Sequence, residues 1–271
     1  MLKSESFHKV KTVSPAAPYI GGKRLLSGKI VSLIEATPHA AYCEPFVGMG
    51  GVFLRRTSAA RVEVVNDYSH DVATFFRVLQ RHYVAFLEML RFQITTRAEF
   101  ERLLKTDPAT LTDLERAARF LYLQRCSFGG KVRGRLFGVS LTSPGRFDVT
   151  KLGPVLEAIH ERLAGVVIEC LPWADFILRY DRPTTLFYLD PPYWGNEKDY
   201  GEGLFARADF ERMADLLSRL KGRFILSLND KPEVRRLFKG FKIESVKVKY
   251  SVGGAANMVD AREVIIRSDS R

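Results

Sequence analysis

Asp190, Pro191, Pro192 and Tyr193 follow directly on an apolar and aromatic run at residues 186–189. Such a run reads as a strand covered on both faces of a parallel sheet. The two prolines end its ladder, because neither can donate a backbone hydrogen bond. An acid at the carboxyl end of such a strand, with an aromatic close behind, sits where open α/β sheets bind their ligands. The chemistry open to it is that of a preorganised acceptor, since no proline N–H competes and the fixed φ holds the carbonyls in place. Taken alone, the four residues also describe an ordinary Asp-Pro turn.

Two stretches nearer the N-terminus place a ligand beside that acceptor. Glu44, Pro45, Phe46, Val47, Gly48, Met49, Gly50 and Gly51 form a strand end, a glycine turn and the start of a short helix. The turn resembles the dinucleotide fingerprint without fitting it, because Phe53 stands where the third glycine belongs. A second strand ends at Asn66 and Asp67, about 20 residues beyond the turn, where a carboxylate commonly holds ribose hydroxyls. Together they suit an adenosine-containing cofactor, with two strands ending in ordinary turns as the alternative. Tyr19, Gly21, Gly22 and Lys23 open onto an amphipathic helix; paired glycines allow close backbone approach, and Lys23 puts a cation beside it.

Residues 119–146 contain Arg125, Lys131, Arg133 and Arg135 but no acid, with Phe128, Phe137 and Phe147 interleaved and several glycines. Basic forks on a glycine-rich loop clamp phosphates or read guanine edges, and aromatics wedge or stack on bases. This stretch therefore reads as a nucleic-acid contact through Arg125, Phe128, Lys131, Arg133 and Arg135. The alternative is a solvated basic loop with its aromatics tucked into the core. The net charge of +11 favours a polyanionic partner.

The elements that must position these residues follow from periodicity. Residues 1–18 are polar and proline-containing and read as a loosely held arm. From Asp71 to Leu163 apolar residues recur at helical spacing, which predicts a helical block inserted between the second and third strands. The sheet then resumes at residues 165–170, 185–190 and 223–230, with amphipathic helices between. Two β-rich runs at residues 241–250 and 263–267 should pair antiparallel. The polar, Gly-rich loop between Trp194 and Phe205 is a candidate lid. The expected architecture is α/β: a mostly parallel, Rossmann-like sheet with a C-terminal antiparallel pair, plus a mainly helical insert. Its boundaries are 1–70 and 164–271 for the sheet domain and 71–163 for the insert.

With 271 residues and 46% hydrophobic content the chain can bury a full core. Three scattered cysteines argue against a disulfide framework and against zinc, and fit a cytoplasmic location. The five histidines lack ligand spacing, so no metal is expected. No apolar run approaches the ~18 residues of a membrane span, and there is no export signal.

At this point the chain resembles the Dam-type (D12 class, alpha group) DNA adenine-N6 methyltransferases. Tyr19 to Lys23 is similar to the family's aromatic-x-Gly-Gly-Lys loop. Glu44 to Gly50 is similar to its Glu-Pro-Phe-x-Gly-x-Gly cofactor turn. Asn66-Asp67 is similar to the acidic end of its second strand, and Asp190 to Tyr193 to its catalytic tetrapeptide. The order and spacing of the four are more specific than any one. Where family members that read GATC carry an Arg-Tyr-x-Tyr-Asn-Gly stretch, this chain has Arg125, Cys126, Ser127, Phe128, Gly129 and Gly130, so the target sequence does not carry over.

The resemblance implies S-adenosylmethionine as methyl donor and a methyltransferase sheet carrying a DNA-recognition insert. Asp67 would hold the donor's ribose. Tyr19, Gly22 and Lys23, with Glu44, Pro45, Phe46, Gly48 and Gly50, would line its two ends, Lys23 meeting the donor's carboxylate. Asp175 and Phe176 would border its adenine, and Asp190 the methyl group. The substrate would be double-stranded DNA whose target adenine is flipped out. Asp190 and the Pro191 carbonyl would accept from its amino group, Pro192 would stiffen the turn, and Tyr193 would stack on the base. A monomer is expected, with a weak dimer as the alternative, in an independent, phage-type or restriction-associated enzyme. Three other readings stay open: a cytosine-N4 or RNA acceptor, a catalytically silent DNA-binding relative, and a nucleotide-dependent dehydrogenase.

Overall fold

The computed structural model describes residues 7–23, 25–139, 142, 144–201, 203–251 and 258–268. In chain order the elements are β1 (Phe7–Lys9), α1 (Ser27–Ala36), β2 (Ala41–Glu44), β3 (Ser58–Ala60) and β4 (Val62–Asn66). A helical block follows: α2 (His70–Arg81), α3 (Tyr83–Leu90), α4 (Arg97–Lys105), α5 (Asp113–Cys126) and α6 (Val149–Arg162). The chain then returns through β5 (Val167–Glu169), α7 (Trp173–Tyr180), β6 (Thr185–Leu189), α8 (Arg207–Ser218), β7 (Arg223–Asn229), α9 (Pro232–Leu237), β8 (Lys242–Ser251) and β9 (Met258–Arg267).

The main sheet has the order β5-β4-β2-β6-β7-β9-β8. The first five run parallel, and β9 runs antiparallel to both β7 and β8, as the sequence patterning implied. β2 lies between β4 and β6, so the strand order reverses there. The crevice outside the carboxyl ends of strands at such a switch is where open α/β sheets hold ligands. Glu44, Asn66, Leu189 and Asn229 are the last residues of β2, β4, β6 and β7 and lie at that end.

Alternation along the strands fills both faces, because successive side chains point to opposite sides. Tyr42, Val65, Leu186, Tyr188 and Ile225 belong to one buried cluster. Cys43, Val64, Phe187, Leu189 and Leu226 belong to the other, under α7 and α8. β6 is buried at every position, in keeping with its continuous apolar run.

Helices α2 to α6 pack against the sheet. Phe75, Phe86, Phe120 and Leu156 share one hydrophobic cluster with Ile30, Tyr42 and Leu186 of the sheet side. A buried ion network adds to this. Glu63 on β4 accepts from Arg56 at 2.5 Å and from Arg162, at the end of α6, at 2.6 Å. Each guanidinium also covers a ring, Arg56 over Tyr42 at 3.9 Å and Arg162 over Phe53 at 4.0 Å. α5 begins with a capping box, Thr112 with Glu115.

The arm differs from its expectation. β1 pairs antiparallel with β3, and Val13, Ala16 and Ala17 are buried. The reason is backbone pairing that composition does not reveal: Val10 N–H donates to Thr57 O, and Val13 N–H to Leu54 O. Residues 252–257 and Glu202, parts of the last connection and of the candidate lid, lie outside the described residues. No helix among the described residues is long and apolar enough to cross a membrane.

Candidate active site

The glycine turn after β2 folds back on the end of β4. Gly48 N–H donates to Asp67 Oδ2 at 2.9 Å and Ser69 N–H to Asp67 Oδ1 at 2.9 Å. Val47 N–H donates to Asn66 O, and Asn66 Nδ2 donates to Pro45 O at 2.9 Å and Leu171 O at 3.1 Å. Asn66 Oδ1 in turn accepts from Leu171 N–H, so one buried amide ties together the segments after β2, β4 and β5. Gly48 has φ +50°, and a Cβ there would stand 3.0 Å from the Tyr19 ring. Only glycine combines that backbone with that neighbour.

These turns wall a cavity of about 530 Å³. Tyr19, Gly22, Lys23, Glu44, Pro45, Phe46, Gly48, Asp67, Asp190 and Pro192 line it. Gly50, Pro191 and Tyr193 do not, although Tyr193 reaches the site through Lys23. Asp175 and Phe176, expected to border an adenine, are not in the wall either. Phe176 is fully buried against Tyr180, and Asp175 is exposed. Trp173, at the start of α7, faces the cavity instead, with Leu204 and Phe205. The helical phase explains the difference: α7 turns Phe176 and Ile177 into the core beneath it.

Residues 194–205 are better anchored than their composition suggests. Trp194 and Phe205 both pack on Phe210 at 5.0 Å, and Arg207 covers Trp194 while pairing with Glu197 at 2.6 Å.

Lys23 does not stand open to the cavity. Its Nζ lies 2.6 Å from Asp190 Oδ1, 2.9 Å from the Tyr193 hydroxyl and 4.4 Å from the Tyr193 ring centroid. It also donates to Gly21 O at 3.2 Å, and the Glu263 carboxylate of β9 stands 3.9 Å away. Ser227 also donates to Asp190 Oδ1, at 3.0 Å. Among the described residues, no donor reaches Asp190 Oδ2 or the Pro191 carbonyl. The tetrapeptide is held from β7, where Asn229 accepts from Trp194 N–H at 2.9 Å and donates to Trp194 O at 3.0 Å.

Burial sets the acid–base character of the site. It pushes Asp190 up to about 6, against the opposing pull of Lys23 and Ser227. Asp67 also rises to about 6 by burial, opposed by the Ser69 and Gly48 N–H groups. Glu44 is raised further, to about 8, although it accepts from the Tyr42 hydroxyl at 2.6 Å. Burial thus favours the protonated form of both carboxyls, Glu44 more strongly than Asp190.

The basic stretch forms a tongue after α5. Phe128 N–H donates to Leu136 O and Gly138 N–H to Cys126 O. Its tip exposes Lys131 and Arg133, and Phe128 is 52% exposed. Arg125 and Arg135 point inward. Arg125 donates to Ala16 O and Arg146 O, and Arg135 to Lys131 O and Gln124. Phe137 packs on Phe100 and Phe147 on Tyr122. Gly130 joins the tongue to the loop before α1: Ile20 N–H donates to Gly130 O, and a Cβ on Gly130 would meet Pro18 at 2.9 Å.

A profile of the D12 class N6 adenine-specific DNA methyltransferases matches residues 19–252. The chain belongs to that family. Its relatives include the DNA adenine methylase of Salmonella typhi, 29% identical over 80% of this chain and 83% of that protein. The type II methyltransferase M1.LlaDCHI of Lactococcus lactis subsp. cremoris is 26% identical over 90% of each. Among solved structures, a precorrin 8w decarboxylase of Methanobacterium thermoautotrophicum superposes with a TM-score of 0.41 at 11% identity, over 95% of this chain and 96% of that one. DNA adenine methylation is the family's activity, and Asp190 to Tyr193 lie at the carboxyl end of its central strand here.

Ser227, Asn229, Trp173 and Phe205 went unread in the sequence. For Trp173 a signal was present, an aromatic at the first position of a helix following a strand. Ser227 carries none, since a serine inside an apolar strand is ordinary.

Proposed function

We propose that the chain transfers a methyl group from S-adenosylmethionine to N6 of an adenine flipped out of double-stranded DNA. The observation that carries this reading is the Asp190 carboxylate in the cavity wall, whose Oδ2, like the neighbouring Pro191 carbonyl, accepts no hydrogen bond among the described residues.

The residues present fit an adenosine-containing donor. The cavity volume falls within the ~300–1,000 Å³ typical of small-molecule sites. Asp67 offers a carboxylate to ribose hydroxyls, and Tyr19, Phe46, Trp173 and Phe205 supply aromatic walls. S-adenosylmethionine, when bound, supplies the electrophilic methyl group. Because Lys23 is committed to Asp190, the donor's carboxylate is not assigned to it.

The amino nitrogen of adenine is a poor nucleophile, as its lone pair is delocalised into the ring. Two acceptors on its protons localise that pair, and Asp190 and Pro191 are held to provide them. Tyr193 stacks on the base, a contact worth ~1–3 kcal/mol. Lys131, Arg133 and Phe128 on the tongue meet the duplex, and residues 71–163 act as the target-recognition part of the enzyme. Arg125 and Arg135 support this part from within rather than touching DNA.

The decisive experiment is mass analysis of nucleosides from DNA incubated with the protein and labelled donor. N6-methyladenine is expected. N4-methylcytosine, or methylation of RNA alone, overturns the reading. Asp190→Ala should abolish transfer while leaving donor binding within a few-fold of wild type.

A further inference from the structure

The two strands that flank the acceptor carry a buried hydroxyl chain. Register pairs Leu189 of β6 with Leu226 of β7, so Ser227 stands beside Asp190 one step further on. Ser227 is fully buried, and its Oγ lies 3.0 Å from Asp190 Oδ1 and 2.9 Å from the Tyr188 hydroxyl. An ionised carboxylate only accepts, so Ser227 must donate to it; with its one proton used, Ser227 accepts from Tyr188. Tyr188 is also fully buried. Both hydroxyls are thus satisfied in one order only: Tyr188 to Ser227 to Asp190. Polarisation along such a chain strengthens each bond in a low-dielectric setting.

We infer that Ser227 is a positioning residue for methyl transfer, fixing the Asp190 carboxylate so that Oδ2 alone is presented to the target amino group. The inference rests on the proposed role of Asp190. Lys23 and Ser227 reach Oδ1 from different elements, a loop and a strand. Two donors on one oxygen determine the carboxylate's rotation, which either alone leaves free. Asn229, two residues along the same strand face, does the same for the other end of the turn through both backbone groups of Trp194. β7 therefore clamps the catalytic turn at both ends.

The test uses the full-length protein with Ser227→Ala and Tyr188→Phe, and Asp190→Ala as a reference. Three quantities are measured: single-turnover methyl transfer, donor affinity by titration calorimetry, and the Asp190 titration followed by carboxyl 13C NMR without donor or DNA. The groups facing Asp190 are Lys23, Glu263, Glu44, Tyr188 and Tyr193. Ser227→Ala leaves all of them in place. The expected result for Ser227→Ala is a transfer rate about 10- to 100-fold lower, the worth of one hydrogen bond to a charged group. Donor affinity should be unchanged, and the Asp190 midpoint should move to higher pH. Tyr188→Phe should shift both rate and midpoint in the same direction by less, and it carries the test if Ser227→Ala does not fold. An unchanged rate and midpoint overturn the inference, as does a rate loss matched by lost donor affinity. Retained transfer in Asp190→Ala, which removes the acceptor altogether, overturns instead the role given to Asp190.

Discussion

Lys23 Nζ lies 2.6 Å from Asp190 Oδ1, so the Gly-Gly-Lys loop is bonded to the Asp-Pro-Pro-Tyr turn. The ammonium also touches the Tyr193 hydroxyl and the face of its ring, joining Asp190 to Tyr193. One cation thus holds two residues of the tetrapeptide in a fixed relation.

This pairing sets a pH dependence. Burial raises Asp190 to about 6, and the proposed mechanism requires its carboxylate form. Single-turnover transfer should therefore fall as pH drops through about 6. Lys23→Met removes the group that most opposes the burial effect, so the acid limb of the profile should move to higher pH. A profile unchanged by that substitution would show that Asp190 does not limit the acid side.

Glu44 supplies a test through stability. Its folded value is about 8 against an ordinary 4.5, so the folded state keeps a proton that the unfolded chain releases between these values. Stability should fall as pH rises across that window. In Glu44→Gln, which keeps an acceptor for Tyr42, this fall should flatten in urea unfolding measured at pH 5 and pH 8. Equal slopes in the two proteins would contradict the buried, protonated state.

The glycine turn should resist the smallest change. Gly48→Ala forces an L-residue to φ +50° and brings Cβ to 3.0 Å from Tyr19. The backbone term alone costs ~1–2 kcal/mol. Because Tyr19 lines the cavity, donor affinity should drop together with thermal stability. Calorimetric titration giving wild-type affinity would rule out this turn as a donor-binding element.

The tongue separates two classes of arginine. Lys131→Ala and Arg133→Ala should weaken DNA binding and each lower the salt slope of log K by about one, with unfolding little changed. Arg125→Ala instead strands the Ala16 and Arg146 carbonyls and should cost ~1–3 kcal/mol of stability. Salt-dependent binding and denaturant titrations of the three variants check this. An undiminished salt slope in Lys131→Ala and Arg133→Ala would remove the tongue tip from the DNA interface.

Local chemistry by itself determined a good deal here. The continuous apolar run of β6, the prolines that stop it and the glycine turn after β2 are all dictated by neighbours in sequence. Strand ends therefore came out where they lie, and with them Asp190, Asp67 and Gly48. The antiparallel pairing of β8 with β9 was equally legible, because two β-rich runs with a short connection have few other ways to pair. Tertiary structure decided which side chain answers which. Sequence offered Lys23 as a cation near a ligand, but only folding brings it onto Asp190, 167 residues away. It offered five contacts on the tongue, but packing turned Arg125 and Arg135 toward backbone carbonyls and left Lys131 and Arg133 exposed. It gave Ser227 no distinction at all, since a buried serine matters through the carboxylate one strand over. The physical reason is common to all three. Backbone preference and periodicity act over a few residues, whereas the partners of Lys23, Arg125 and Ser227 come from segments distant in the chain that only packing brings together.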